Sequence, residues 1–293
     1  MSLSIVIPTF NGKPLLDENL PQVMAAAPNA EIIVVDDAST DGTAAFISAR
    51  FPHVKLVQLP CNRGFAQAVN AGVAHAVGDI VVLFNNDVSP HPHCLANLDR
   101  QFSSNPKLFC VGFLETDPRD KHERGKSISF WRKGLVHHAP APNLESGPSF
   151  WAFAAAAAYR KSMWQKLGGL DSLFRPAYWE DIDLCYQAHK QGWLVTFDST
   201  RQVAHPAEST MKSVLGKRMH RTAFKNQLLF VWKNIDSSKL LLAHLFWLPV
   251  CIAYDFPGFL LALIQLPESL INRFNKLPSV ISDETILNSD PGR

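Results

Sequence analysis

With 293 residues, 47% of them hydrophobic, the chain is long enough to bury a full core, as one large domain or as a domain with an appendage. Its net charge of +2, from 28 Lys and Arg against 26 Asp and Glu, gives no reason to expect a nucleic-acid partner. The five cysteines (Cys61, Cys94, Cys110, Cys185, Cys251) are scattered, odd in number and without C-x-x-C spacing, which argues against a disulfide framework or a zinc site and suits a reducing cytosol.

Residues 2–7 carry neither a basic flank nor a long apolar stretch, so no secretory signal is read there. Leu3 to Ile7 reads as a buried strand closed by Pro8, and Pro14 to Ala27 as a helix. A second strand, Glu31 to Val35, runs into Asp36-Asp37-Ala38-Ser39-Thr40-Asp41-Gly42-Thr43, where adjacent carboxylates do not both belong in a core. A helix follows from Ala44 to Arg50, with Ser39, Thr40 and Asp41 available as caps. Val54 to Leu59 is a third strand, and Asn62-Arg63-Gly64-Phe65 opens a helix to Ala76. The strand Val81-Val82-Leu83-Phe84 then stops abruptly on Asn85-Asn86-Asp87. Such alternation predicts a mostly parallel sheet with ligands at the carboxyl ends of its strands. No G-x-G-x-x-G is present, so dinucleotide binding has no support.

A helix is expected from about Cys94 to Ser103 and a strand from Phe109 to Phe113. Residues 115–148 are charged and rich in Pro, Gly and His, with one strand-like piece at Ser127 to Trp131. They read as a variable surface loop that could also shape acceptor binding. Phe150 to Tyr159 is helical on alanine content, but a strand followed by a helix from Lys161 to Leu167 is preferred, its small side chains leaving room for a ligand. Glu180-Asp181-Ile182-Asp183 puts three acids in four residues, more than helix N-terminal charge requires. Leu194 to Phe197 is a further strand. Leu240 to Leu266 is apolar but broken by His244, Pro249, Asp255 and Pro257, short of the roughly 20 uninterrupted apolar residues that span a bilayer. Lys217, Arg218, Arg221, Lys225, Lys233 and Lys239 precede or open it. The stretch reads either as a membrane-surface attachment or as helices that cover the core or form a dimer interface.

Taken in order, several segments resemble the family-2 glycosyltransferases over roughly residues 2 to 235: Ser4-Ile5-Val6-Ile7-Pro8-Thr9-Phe10-Asn11, Val34 to Thr43, Asn62-Arg63-Gly64-Phe65, Asn70-Ala71-Gly72, Asn85-Asn86-Asp87, Gly168-Gly169-Leu170-Asp171, Glu180 to Cys185, and His205. Their shared order carries the likeness, since each alone is a weak signal. The resemblance implies an α/β chain of the GT-A (nucleotide-diphospho-sugar transferase) fold, a mostly parallel central sheet flanked by helices. The expected division is 1–235 for the GT-A domain, 236–275 for apolar helices, and 276–293 for a disordered tail.

What the resemblance implies for the site is specific. Pro8, Thr9 and Asn11 lie where such enzymes hold the nucleotide. Asp37, or alternatively Asp36, accepts from the base N–H, which suits uracil or thymine. Asn62, Arg63 and Gly64 lie close to the nucleotide, and Asn86 faces the ribose. Asp87 binds a divalent metal, Mg2+ or Mn2+, with His205 either a further ligand or a structural residue. The family's D-x-D is Asn85-Asn86-Asp87 here, as in its bacterial rhamnosyltransferase-like subgroup, which leaves one carboxylate for the metal. Asp181 is the expected general base, with Glu180 beside it and Trp179 placed to stack on a sugar or to serve as core. The implied reaction is inverting transfer from a UDP- or dTDP-sugar to a hydroxyl of a cell-surface glycan or lipid-linked acceptor. Two rivals are a non-catalytic nucleotide-sugar-binding or scaffold protein, and a nucleotidyltransferase, which lacks support from any Gly-rich triphosphate loop. The expected location is the cytoplasm or, peripherally, the cytoplasmic face of the inner membrane.

Overall fold

In the computed structural model, which describes residues 1–206 and 216–288, the first apolar runs lie side by side as parallel strands: Leu3–Thr9 (β1), Glu31–Asp36 (β2), Lys55–Gln58 (β3) and Ile80–Phe84 (β4). Ser89–Pro90 (β5), Leu108–Thr116 (β6), Glu123–Arg124 (β7), Gly147–Pro148 (β10), Ala156–Arg160 (β11) and Leu194–Ala204 (β12) complete the sheet, in the order β10-β12-β6-β11-β4-β1-β2-β3. β5 joins at β12 and β7 at β6. β11 is antiparallel to β4 and β6 on either side of it, whereas β6 and β12 are parallel. A separate hairpin is made by Ser127–Arg132 (β8) and Leu135–Pro140 (β9).

The central strands are apolar on both faces because both faces are covered. Ile5, Ile7, Val34, Val82 and Phe84 pack with Lys13–Ala26 (α1), Thr43–Arg50 (α2) and Leu98–Ser104 (α4). The alternate residues Val6, Ile33, Val35, Val81 and Leu83 face Phe65–His75 (α3), Lys161–Leu167 (α5), Glu180–Lys190 (α6) and Met219–Asn234 (α7).

Asn70-Ala71-Gly72 acts structurally. A Cβ on Gly72 would collide with Val6 and Val35, so its absence lets α3 lie close on β1 and β2. The Asn70 amide donates to Leu170 O at 2.7 Å and accepts from Leu170 N at 3.0 Å, joining α3 to the Gly168-Gly169 turn.

Three expectations need correction. Residues 115–148 are not an irregular surface loop: they contain β7, the β8–β9 hairpin and β10, and Leu135 and Val136 are buried in the core. The alanine run does form a strand followed by a helix, but Ala156, Ala157 and Ala158 are fully enclosed between β4 and β6 and leave no room for a ligand. The expected disordered tail is ordered as far as residue 288. Asp283–Asn288 (α10) buries Ile286 and Leu287, and Asp283 accepts from Tyr186 Oη at 2.6 Å and from the backbone of Asp236 and Ser237. Residues 289–293 and the side chain of Lys217 lie outside the described residues.

The apolar C-terminal segment is two helices, Ser238–Tyr254 (α8) and Phe256–Asn275 (α9), the latter packed along α7. Buried Lys233 on α7 pairs with Asp183 of α6 and Asp171 ahead of it, both at 2.7 Å, and Asn272 of α9 donates to Asp171 at 2.8 Å. Gly72→Ala is expected to destabilise the fold by about 1–3 kcal/mol through overpacking, read as a lower urea midpoint at unchanged slope.

Candidate active site

Parallel register brings the functional side chains to one edge. Thr9 is opposite Asp36 across β1 and β2, while Val203 and Ala204 of β12 are opposite Glu115 and Thr116 of β6. The carboxyl ends of β1, β2, β4, β6 and β12 therefore share one edge with the amino end of β11. There lie Pro8, Thr9 and Asn11, then Asp36 and Asp37, then Asn86 and Asp87, then Glu115 and His205.

On the β1–β2 side the polar groups bind one another. Asn86 Nδ2 donates to Thr9 Oγ1 at 2.8 Å, and Gly12 lies so close over this pair that a Cβ would collide with both. Asn11, at positive φ, accepts from Thr40 N at 2.8 Å, while its own N–H donates to Ser39 Oγ at 2.8 Å, which pins the β1 and β2 loops together. Asp36 accepts from Ser39 N at 3.0 Å. Asp37, buried, takes the Arg63 N–H at 2.7 Å on one oxygen and the Gly64 N–H at 2.8 Å on the other. It therefore clamps the Asn62–Gly64 loop, and each oxygen keeps a lone pair for a further donor. That loop forms one wall of an open cleft of about 240 Å3, opposite Ser172–Ala177 and with Glu180 on its wall. Pro8 is buried at the end of β1 beneath these loops.

On the β4–β6–β12 side, Asp87 and His205 lie together, with Asp87 Oδ1 3.3 Å from His205 Nε2. The other ring nitrogen, Nδ1, is 2.7 Å from Glu115 Oε2. Arg124 on β7 holds the same carboxylate at 2.9 Å and also reaches His205 O at 3.3 Å. Burial would lower the His205 pKa, but the two flanking carboxylates raise it to about 9.

Among the described residues no three His, Cys, Asp or Glu side chains form a cluster able to hold a metal by themselves. The donors present nevertheless fit a cation whose coordination is completed by substrate or water. Asp87 offers oxygen, His205 would offer Nε2 once a cation displaced the proton that the two carboxylates favour on the ring, and a carboxylate on Nδ1 is the usual support for a metal-bound imidazole. The buried Glu115 Oε1 has no hydrogen-bond partner among the described residues.

Glu180 and Asp181 open α6 after Tyr178 and Trp179, both at positive φ. Burial raises the Glu180 carboxyl to about 8, helped by the charge of Asp181. Burial likewise lifts Asp181, to about 6, opposed by the backbone N–H groups of Ile182 (2.8 Å) and Ala154 (3.4 Å) and reinforced by the charge of Glu115. Glu180 therefore holds its proton more tightly than Asp181, a difference that adjacent acids acquire from unequal environments. Glu115 thus links the two acidic clusters electrostatically. Asp183 points away from the cleft into the Lys233 pair, with Asn234 and Gln187 also on its oxygens. Trp179 is only 4% exposed, its ring 4.9 Å from Phe230 and 5.5 Å from His138, so its faces are occupied by core and not offered to a sugar.

Sequence reasoning missed Glu115 and Arg124. Glu115 carried the signal that exposed Asp87, a buried apolar run ending on an acid, but it was assigned to the start of a loop. Arg124 had no local signal, because only the pairing of Glu115 with Arg124 across β6 and β7 places it there.

The sequence profile described as "Glycosyl transferase family 2" matches residues 4–168, more than half of the chain, and the protein belongs to that family of glycosyltransferases. It is 26% identical over 232 residues to the N-acetylglucosaminyl-diphospho-decaprenol L-rhamnosyltransferase of Mycobacterium tuberculosis, covering 69% of this chain and 75% of that one. A dolichol-phosphate mannosyltransferase of Pyrococcus furiosus is 34% identical over 103 residues, 33% of this chain and 29% of its own. Among solved structures, GalNAc-T7 with UDP, GalNAc and Mn2+ superposes at a TM-score of 0.63 and 18% identity, over 82% of this chain and 49% of its own, so this chain spans about half of that protein. The mannosyltransferase PcManGT of Pyrobaculum calidifontis, with GDP-Man and Mn2+, gives 0.57 at 18% identity over 92% and 75%. These likenesses establish the GT-A fold.

Asp37→Ala removes the acceptor of two backbone N–H groups. Amide hydrogen exchange at Arg63 and Gly64 should accelerate, and unfolding stability should fall by about 1–3 kcal/mol.

Proposed function

We propose that the protein is an inverting glycosyltransferase that moves a sugar from a nucleoside diphosphate donor, UDP or dTDP, to a hydroxyl on a lipid-linked or cell-surface glycan acceptor. The observation that carries the reading is the position of Asp181 at the start of α6, next to Glu180 of the cleft wall, where its carboxylate accepts from the Ile182 and Ala154 N–H groups and burial lifts its pKa to about 6. A base of that pKa is ionised at neutral pH yet basic enough to take a proton from an attacking hydroxyl. Glu180, protonated alongside, is a hydrogen-bond donor on the cleft wall rather than a second base. Thr9, Asn11, Asp37 and Asn86, locked before substrate arrives, form the nucleotide side, with Asp36 supporting the loop and Asn62, Arg63 and Gly64 closing over it. Such preorganisation leaves little to reorder on binding.

A divalent cation, Mn2+ or Mg2+, would be held by Asp87 and His205, and would offset the charge gathering on a leaving diphosphate. Glu115 would hold the His205 ring through Nδ1, and Arg124 would hold Glu115. The mycobacterial relative's printed name, an acceptor on a diphospho-decaprenol carrier, supports a lipid-linked acceptor here. Work on such an acceptor would place the protein at a membrane surface. Among the described residues no helix is long and apolar enough to cross one.

Donor choice is tested by thermal shift with UDP, dTDP, GDP and CMP, each with Mn2+, Mg2+ or chelator. A bound nucleotide at a hundredfold excess over its Kd stabilises by about 2.7 kcal/mol, so UDP or dTDP with metal should raise Tm and Asp87→Ala should abolish the rise. Silence with every nucleotide would remove the donor site. For the base, Asp181→Asn should lower kcat about 10²–10⁴-fold while the nucleotide shift persists. Since only ionised Asp181 accepts the proton, wild-type kcat/KM should fall about tenfold per pH unit below about 6. Transfer by the Asn variant at the wild-type rate would eliminate Asp181 as base.

A further inference from the structure

The C-terminal helical hairpin turns apolar residues to both sides, burying Leu240, Cys251 and Ala262 against the domain. Its protein-facing side carries polar groups bonded to the domain. His244 Nδ1 lies 2.8 Å from Gly134 O, its Nε2 accepts from Trp232 Nε1 at 3.0 Å, and Ser269 donates to Leu229 O at 3.3 Å. Gln265 donates to Leu173 O at 3.2 Å. These bonds fix the rotation of both helices. The outward side of α8 then presents Leu242, Phe246, Val250 and Tyr254, and that of α9 presents Leu260, Ile264 and Phe274, each set at helical spacing. Phe246 and Tyr254 are both 78% exposed, Ile264 74% and Phe274 84%. An apolar stripe on each of two neighbouring helices exceeds the scattered exposure of a normal surface.

Charge selects the occupant. The hairpin's two acids are both ion-paired: Asp255 with Arg221 at 3.4 Å, and Glu268 with Arg175 at 2.7 Å. Exposed cations border the stripe. Lys239 falls on it, three residues before Leu242, and Arg221 stands beside the α8–α9 junction through its bond to Asp255. Arg132 and Lys133, both exposed, precede Gly134, which lies so close to α8 that a Cβ there would meet Trp247 and His244. A second copy docked by two-fold symmetry would bring the same cationic border against itself. An anionic headgroup layer over hydrocarbon matches both features.

We propose that the α8–α9 hairpin lies in the plane of an anionic lipid surface, with Phe246, Ile264 and Phe274 in the acyl boundary and Lys239, Arg132 and Lys133 against phosphate headgroups. Arg175 couples this surface to the cleft. It lines the cleft wall, is ion-paired to Glu268 of α9, and its backbone carbonyl accepts from Lys225 at 2.7 Å. The cleft is thereby held at a set position relative to the lipid, where an acceptor on a lipid carrier would enter. The inference deepens the proposed lipid-linked acceptor, but vesicle binding is measured without any sugar transfer, so the two readings fail separately.

The test uses the full chain, with vesicles of phosphatidylcholine alone or mixed with phosphatidylglycerol, in co-sedimentation, and light-scattering mass without lipid. The expected result is a lipid-free monomer that sediments with mixed vesicles, less so in high salt. Phe246→Ser with Phe274→Ser should weaken binding by at least about tenfold at unchanged Tm, because both rings are already in water. Lys239→Glu with Lys133→Glu should weaken binding to mixed vesicles in the same measurement. No binding to mixed vesicles, equal binding to neutral ones, or binding indifferent to the phenylalanine pair would overturn the proposal. So would a dimer that this pair converts to monomer without any vesicle binding, which would assign the face to a second copy.

Discussion

Carboxylates buried at the edge of the sheet impose the constraint on which the rest of the structure turns. An ionised or hydrogen-bonding acid removed from water must meet donors or cations there, and each partner found fixes a piece of chain. Asp37 finds the Arg63 and Gly64 N–H groups and so shapes the loop after β3. Glu115 finds His205 and Arg124, and so orders both the end of β12 and the segment that a reader of the sequence would leave loose. Asp183, with 0% exposure, finds Lys233 and thereby fastens α7 to α6. Loops that would otherwise wander are held by the electrostatic needs of the acids beneath them.

The same burial produces the chemical asymmetry of the site. Three acids occur within four residues of α6, yet they end in three different states. Asp183 is matched by a lysine, while burial raises the Glu180 carboxyl to about 8 and Asp181, opposed by backbone N–H groups, to about 6. The backbone N–H of Ala154 makes part of that difference, and it comes from the turn just ahead of β11, the strand that runs antiparallel to β4 and β6 on either side.

The hairpin shows burial working in the opposite sense. Polar side chains on α8 and α9 are turned inward, His244, Gln265 and Ser269 bonding the domain at the carbonyls of Gly134, Leu173 and Leu229. Leu240, Cys251 and Ala262 are buried beside them, while other apolar residues of both helices stay outside. Asn272 and Arg175 then connect α9 to Asp171 and to the cleft wall, so the appendage and the catalytic domain share one set of polar contacts.

Much of this could be read from the chain. The β-branched runs ending on polar clusters located β1, β2 and β4, because a strand buried on both faces has to be apolar throughout and can turn polar only where it ends. The same rule would have found Glu115, had the run from Leu108 to Leu114 been followed to its end. The ordered motifs sufficed for the family, and the acids for the neighbourhood of the site. Tertiary structure alone set the surroundings of each acid, since Glu180, Asp181 and Asp183 are indistinguishable until packing sets their burial and partners. It also decided that Trp179 is core, that Arg124 meets Glu115 across a strand pair, and that residues 276–288 are ordered. Each of these depends on contacts between distant parts of the chain, and the local sequence that fixes helix and strand carries no record of what will lie against it.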